Sequence, residues 1–166
     1  MTAPVRVRRR LTRLARAFAR DRRGATSVEL AFLAFPFILM ILAVMQVGFY
    51  YMTQMALNAG TVQAEESLHA VFATGASPNT PSASSLKSTI VTGSSGGLTV
   101  TNLAVEVRPL ANLDSGAVAI SDGTTNYGSA WTPLVLRAKY SFPTFMPLMG
   151  TTWVVYSSAI VRRQGQ

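Results

Sequence analysis

A carboxylate at the start of the longest apolar segment has the clearest potential for chemistry in this chain. Glu29 comes directly before the apolar run that begins at Leu30. A carboxylate that enters lipid without a partner costs roughly 3 kcal/mol. Arg22 and Arg23 precede it and are able to neutralise it at a membrane surface. The pattern therefore allows two interpretations: a shallow, neutralised side chain, or a carboxylate that pairs with a positive group when chains associate.

The residues before Glu29 predict a processing site. Gly24 follows the two arginines, and a glycine fits a tight substrate position that leaves no room for a side chain. In a prepilin-type site the peptidase cuts after this glycine, which makes Ala25 the new N-terminus. The free amine of Ala25 could then pair with Glu29 of a neighbouring subunit, so that each charge offsets the other's cost in lipid.

The other candidate sites are weak. His69 and Glu65 lie one helical turn apart, but two ligands do not make a metal site. The segment from Asp122 to Asn126 is similar to a calcium loop yet lacks the further acidic ligands, so a turn is favoured. The chain has no cysteine, phosphate-binding loop or nucleophile elbow. We therefore predict no catalytic residue, no metal, no cofactor and no enzymatic activity.

The positive charge is confined to the N-terminal end. Residues 1–24 contain nine arginines and one acid, which alone account for the net charge of +8. A basic block next to an apolar run orients a membrane protein with the basic end in the cytosol, and Arg20, Arg22 and Arg23 lie closest to the run. A DNA-binding arm is the alternative, but such proteins more often spread basic residues over a folded face. We expect no nucleic-acid partner.

The apolar run is long enough to cross a membrane. From Leu30 to Met52 it has 23 residues without a charge, and about 20 helical residues span a hydrocarbon core of roughly 30 Å. Pro36 should bend this helix, and Tyr50 and Tyr51 stand where an interfacial aromatic anchor belongs. A cleaved secretory signal is the alternative, but its apolar region would be only about 7–15 residues.

The pattern changes twice after the run. An amphipathic helix should continue to about Ala73, with a stripe at Met55, Ala59, Val62 and Glu66. A Ser-, Gly- and Pro-rich loop should then precede alternating segments, which predict three or four antiparallel strands. These segments are Leu98–Val107, Ala117–Ile120, Thr132–Phe142 and Trp153–Val161.

The predicted fold class is α+β. One long N-terminal transmembrane helix continues outside the membrane and packs, around Val62 to Phe72, on a small antiparallel sheet. The predicted organisation is a basic cytosolic leader (1–24), a transmembrane helix (25–52), an extracytoplasmic amphipathic helix (53–74), a loop (75–97) and a β domain (98–166).

At these residues the sequence resembles the TadE-like pseudopilins of tight-adherence (Flp-type) pilus systems. The resemblance covers residues 20–74 and 132–163, and Leu30 stands where the family commonly has tyrosine. The matching features are Arg22-Arg23-Gly24, Val28-Glu29, Pro36, a Gln- and Ala-rich helix after the span, Leu136 to Pro143, Pro147-Leu148-Met149, and a last strand that ends at Arg162-Arg163.

The resemblance implies a minor, pilin-like protein that takes part in assembly or initiation of a Flp pilus. It implies cleavage after Gly24 by a prepilin peptidase and a role for Glu29 in subunit register. The implied partners are membrane lipid, the peptidase, other pilins or pseudopilins, and inner-membrane assembly proteins. The implied location is the bacterial inner membrane, single-pass, with a cytosolic N-terminus and a periplasmic C-terminal domain, or a surface pilus. The alternative is an unprocessed, membrane-anchored binding or sensory module, for which Glu29→Ala should be harmless.

Overall fold

The computed structural model describes residues 23–73, 80–110, 119–129, 131–145 and 150–162. Residues 1–22 of the predicted basic leader, including Arg20 and Arg22, lie outside the described residues. The elements are helices α1 (Arg23–Ala73) and α2 (Ala83–Gly93), a 3-10 turn at Val100–Asn102, and strands β1 (Leu103–Pro109), β2 (Pro133–Pro143) and β3 (Thr152–Arg162). The α+β class and the small antiparallel sheet predicted from the sequence are confirmed.

Helix α1 is 51 residues long and continues through Pro36. It starts two residues before the predicted first residue, Ala25, and ends at the predicted Ala73. The chain divides into two compact units, residues 1–44 and 45–166. In the described part of the first unit, most large apolar side chains of α1 are exposed. An exposed, uniformly apolar helix surface is what a lipid environment favours.

The sheet has the order β1-β2-β3, and both neighbouring pairs are antiparallel. The sequence predicted a first strand from Leu98, but a 3-10 turn occupies Val100–Asn102 and β1 begins at Leu103. Leu98 and Leu103 are five residues apart, so strict alternation would place them on opposite faces. The turn lets both side chains enter one core. The predicted strand at 117–120 is wrong for residues 119–120, which are not in a strand, and residues 117–118 lie outside the described residues.

One face of the sheet is covered by α1 and α2. The prediction that α1 covers the sheet is confirmed, but the predicted stripe at Met55, Ala59 and Val62 lies on the exposed side of the helix. The helix positions that are buried against the sheet follow a different 3–4 residue spacing. The core consists of Leu57, Ala64, Leu68 and Phe72 from α1, Leu86 and Ile90 from α2, Leu98, and Leu103, Val105, Val107, Leu134, Leu136, Ala138, Tyr140, Val155 and Val161 from the strands and their flanks.

The loop predicted over residues 75–97 contains helix α2, which corrects that prediction. The Ser82 side chain caps the helix by accepting a hydrogen bond from Ser85 N at 3.2 Å. Leu86 and Ile90 lie one turn apart, and both are buried. Gly60 of α1 permits the close approach of α2, because a Cβ atom there would lie 2.2 Å from Ile90 O. The serine-rich composition suggested a loop, but two well-spaced apolar residues and a cap are enough once α1 supplies a surface.

Candidate processing and assembly site

The predicted cleavage position lies at the beginning of α1. The helix starts at Arg23, so Gly24 and Ala25 belong to its first turn. Helix ends fray, and a peptide bond in a first turn needs less unwinding to enter an enzyme than one in a helix interior. The leader arginines Arg20 and Arg22 lie outside the described residues, so their predicted role in orientation stays a prediction.

Glu29 lies one turn after Ala25 on the same helix. Its side chain is exposed, as are those of Val28 and Leu30 on either side. Within the described residues no hydrogen bond or ion pair engages the Glu29 carboxylate. Residues four apart on a helix have Cβ atoms about 5–6 Å apart, and side chains lean toward the helix N-terminus. A chain that began at Ala25 would therefore carry its amine about one helical turn from the level of the Glu29 carboxylate.

A polar contact at the other end of the apolar run was not predicted. Gln46 is fully buried, and its Oε1 accepts a hydrogen bond from Phe145 N at 2.9 Å. The Phe145 ring packs against Phe49 with 5.2 Å between centroids. Phe145 lies just after β2, so this contact attaches the end of the β2–β3 hairpin to α1. The only signal in the sequence is an amide side chain in an otherwise apolar run.

Aromatic side chains continue this contact along the helix. Tyr50 meets Trp153 edge to face at 5.6 Å, and Trp153 in turn meets Phe142 at 6.4 Å. One helical turn later, Gln54 Nε2 donates a hydrogen bond to Tyr156 O at 2.8 Å. Strand β3 therefore follows α1 in the same direction. Tyr50 was predicted to be an interfacial anchor, and the structure places it in the contact between helix and hairpin.

A buried carboxylate lies on the sheet face away from the helices. Glu106 is fully buried, and it stands directly opposite Arg137 in the β1–β2 register. Its Oε2 accepts a hydrogen bond from Arg137 Nη1 at 3.4 Å, and Arg108 Nε forms an ion pair with Oε1. Two guanidinium groups neutralise this carboxylate, which suits a structural role and not acid–base chemistry.

The segment from Asp122 to Asn126, for which the sequence favours a turn over a calcium loop, contains a turn in which Asp122 bonds to other parts of the chain. Asp122 Oδ2 accepts a hydrogen bond from Lys87 Nζ at 2.7 Å, and Oδ1 accepts one from Val105 N at 3.1 Å. The hydrogen bond from Lys87 is the main reason that the pKa of Asp122 lies below its usual value. The following residues pair with the outer edge of β1 through Val107 N, which donates to Thr124 O at 2.8 Å. This turn protects the sheet edge.

His69 and Glu65 remain a pair on an exposed helix face. Their Nε2 and Oε1 atoms are 3.7 Å apart, and both side chains are at least partly exposed. In the described parts of the chain, no group of three or more His, Cys, Asp or Glu side chains is placed to hold a metal ion.

One helix in the described part of the chain is long and apolar enough to cross a membrane. It covers Ser27–Ala73, and no residue of its most apolar window of 18 residues is buried. Length and composition thus indicate a single-pass membrane protein.

Comparison with known proteins finds a family match in the N-terminal part of the chain. A family model described as TadE-like protein matches residues 24–64, from the predicted cleavage glycine to the helix that follows the span. No curated protein and no solved structure matches the chain. The resemblance noted over residues 132–163 lies outside the family match and stays a prediction. Residues 24–64 are therefore a TadE-like region. This match supports the conclusion that the protein is associated with the Tad pilus.

Proposed function

We propose that this protein is a minor, pilin-like subunit, a pseudopilin, that takes part in the assembly or initiation of a Flp, or tight-adherence, pilus. The observation that carries the proposal is the start of the family match at Gly24. Glu29 follows five residues later, exposed on an apolar helix and without a partner in the described part of its own chain.

The proposed mechanism begins in the bacterial inner membrane. The basic leader stays in the cytosol, and the C-terminal domain lies in the periplasm. A prepilin peptidase cuts after Gly24, which removes nine arginines and leaves the amine of Ala25 at the start of the helix. When the helix meets other pilins or pseudopilins, the Glu29 carboxylate pairs with such an amine. This pairing sets the axial register of the subunits, because an unpaired charge in lipid is costly. Inner-membrane assembly proteins complete the set of partners.

The N-terminus of the mature protein tests the first half of this proposal. We expect the intact mass and N-terminal sequence from the membrane fraction to show a start at Ala25 in cells that contain the host's prepilin peptidase. Cells without the peptidase should retain residues 1–24. A Gly24→Val variant should also remain uncut, while Gly48→Val, a change outside the motif, should be processed normally. An intact leader in every strain would support the membrane-anchored binding or sensory module instead.

The role of Glu29 is tested by a neutral replacement of the same shape. Glu29→Gln should still insert in the membrane but should be lost from the sheared pilus fraction, or should reduce the number of pili per cell. Glu66→Gln is the matched control, because Glu66 is also an exposed glutamate on α1 but lies beyond the apolar run. Normal piliation with Glu29→Gln would show that Glu29 does not set the subunit register. The proposal that the protein belongs to the pilus system would then stand without that role.

A further inference from the structure

The end of the β2–β3 hairpin lies against a part of α1 that falls within the predicted membrane span. A hydrocarbon core of roughly 30 Å needs about 20 helical residues, and counted from Leu30 these reach Phe49. Gln46 therefore falls within the length of the span and not beyond it. Its side chain holds Phe145 N at 2.9 Å, and the Phe145 ring packs on Phe49. The residue that opens the turn of the hairpin is thus attached to α1 at lipid depth.

The hydrogen bond itself fits that depth. In hydrocarbon a backbone N–H group without an acceptor costs several kcal/mol, so irregular backbone is tolerated there only where protein groups satisfy it. Gln46 Oε1 supplies the acceptor for Phe145 N, and Thr144 N donates across the turn to Thr151 O at 3.3 Å. The Oε1 atom of Gln46 thus serves the backbone after β2, whereas its buried Nε2 group has no hydrogen-bond partner in the described residues.

The surface around the contact is also suited to lipid. Phe145 is 62% exposed, and Val47, Phe49 and Tyr51, at the same level of α1 along the chain, are exposed as well. The described residues between Lys139 and Arg162, namely 140–145 and 150–161, include no charged side chain. Tyr50, Trp153 and Phe142 form the aromatic cluster directly after this level, where an aromatic belt meets the headgroups.

We propose that the C-terminal domain makes a second membrane contact, in which Phe145, just after β2, enters the outer-leaflet interface beside α1. The occupant of this surface is lipid. The contact orients the domain on the membrane, because the first residues of β3 are held near the bilayer while the last residues of β3 lie farther from it. The inference requires α1 to span the membrane, and it does not depend on processing at Gly24 or on pilus assembly.

Single-cysteine labelling tests the contact directly, because the chain contains no cysteine. Phe145→Cys, Ile160→Cys and Met40→Cys would each carry a nitroxide in the full chain. The chains would be placed in nanodiscs of phosphatidylethanolamine and phosphatidylglycerol, which leave both membrane surfaces open. Electron paramagnetic resonance then compares collisions with oxygen, which enters lipid, and with a nickel chelate, which stays in water. Ile160 is the matched control, since it is apolar, also 62% exposed, and lies about 26 Å farther along β3 than Thr152.

The labels at Phe145 and Met40 should collide more with oxygen than with nickel, and the label at Ile160 should show the reverse. A water-exposed label at Phe145, together with a lipid-exposed label at Met40, would overturn the contact while leaving the membrane span intact. Lipid exposure at all three positions would also overturn the proposed contact, because Phe145 would then not differ from Ile160 in its access to lipid. Reaction of unlabelled Phe145→Cys with a water-soluble maleimide repeats the test without the bulk of the nitroxide, and slow reaction relative to Ile160→Cys is expected.

Discussion

Replacing Glu106 with glutamine removes the negative charge between two arginines while keeping the shape of the side chain. Glu106 is fully buried and forms ion pairs with Arg108 and Arg137. Loss of one partner from a buried ion pair costs about 3–5 kcal/mol. The two arginine side chains keep 25% and 21% of their surface exposed, so water compensates them in part. We therefore expect the free energy of unfolding of the second unit to fall by about 3 kcal/mol, at the lower end of that range.

Thermal unfolding of the full chain in detergent measures this loss. Trp131 and Trp153 both lie in the second unit, so near-ultraviolet circular dichroism reports on that unit. A loss of this size should lower the Tm by about 10 °C for a unit of this length. Glu66→Gln, on the exposed face of α1, is the control and should change stability by no more than about 0.5 kcal/mol. An equally small effect of Glu106→Gln would refute the assignment of Glu106 as a buried, neutralised charge.

A double-mutant cycle then isolates the pair that joins β1 and β2. Glu106→Gln and Arg137→Met should be less destabilising together than the sum of the two single changes, with a coupling of about 1–3 kcal/mol. Strict additivity would mean that the two side chains act independently, despite their direct opposition in the register.

Three further predictions concern other contacts. In the folded state the pKa of Asp122 lies below its ordinary value of 3.8. The ionised side chain should therefore contribute its full stabilisation above pH 3.8, and this contribution should be lost as the pH falls through the pKa of the folded state. Asp122→Asn should therefore unfold more easily than the wild type at neutral pH, and acid titration of the Tm should make the two converge. Gly60→Ala should destabilise the second unit by about 1–3 kcal/mol in thermal unfolding, because its Cβ would overlap helix α2, whereas Gly48→Ala has nothing within 4 Å and should not. Gln46→Leu should raise the mobility of a nitroxide at Phe145 in electron paramagnetic resonance, because the acceptor for the Phe145 N–H group is lost.

Each of these predictions has a plain contrary result. A Tm difference between wild type and Asp122→Asn that stayed constant down to pH 2 would show that its carboxylate does not carry the acid sensitivity. Equal stability of the Gly60 and Gly48 variants would mean that α1 and α2 can move apart without cost. An unchanged spectrum in the Gln46 variant would mean that packing on Phe49 alone holds the hairpin turn.

The long helix α1 could be predicted from the sequence alone. In lipid the uncharged run after Glu29 forms a helix whatever the rest of the chain does, because its backbone must satisfy its own hydrogen bonds there. The Gly24–Glu29 spacing is local, so it can be recognised without a tertiary structure, and the family match begins at that glycine. The alternating segments likewise predicted the last two strands of the antiparallel sheet, since the two-residue period of a half-buried strand is local.

The tertiary structure decided what depends on distant partners. Helix α2 becomes stable only against the surface that Gly60 and its neighbours on α1 provide, so its serine-rich sequence predicted a loop. The buried position of Glu106 depends on Arg137, 31 residues away and brought opposite by strand register. The use of Gln46 depends on Phe145, 99 residues away, which no local pattern connects to it. Local periodicity specifies the elements, whereas the buried face of α1 and the pairing of these polar groups are decided only when the folded chain brings the two sides together.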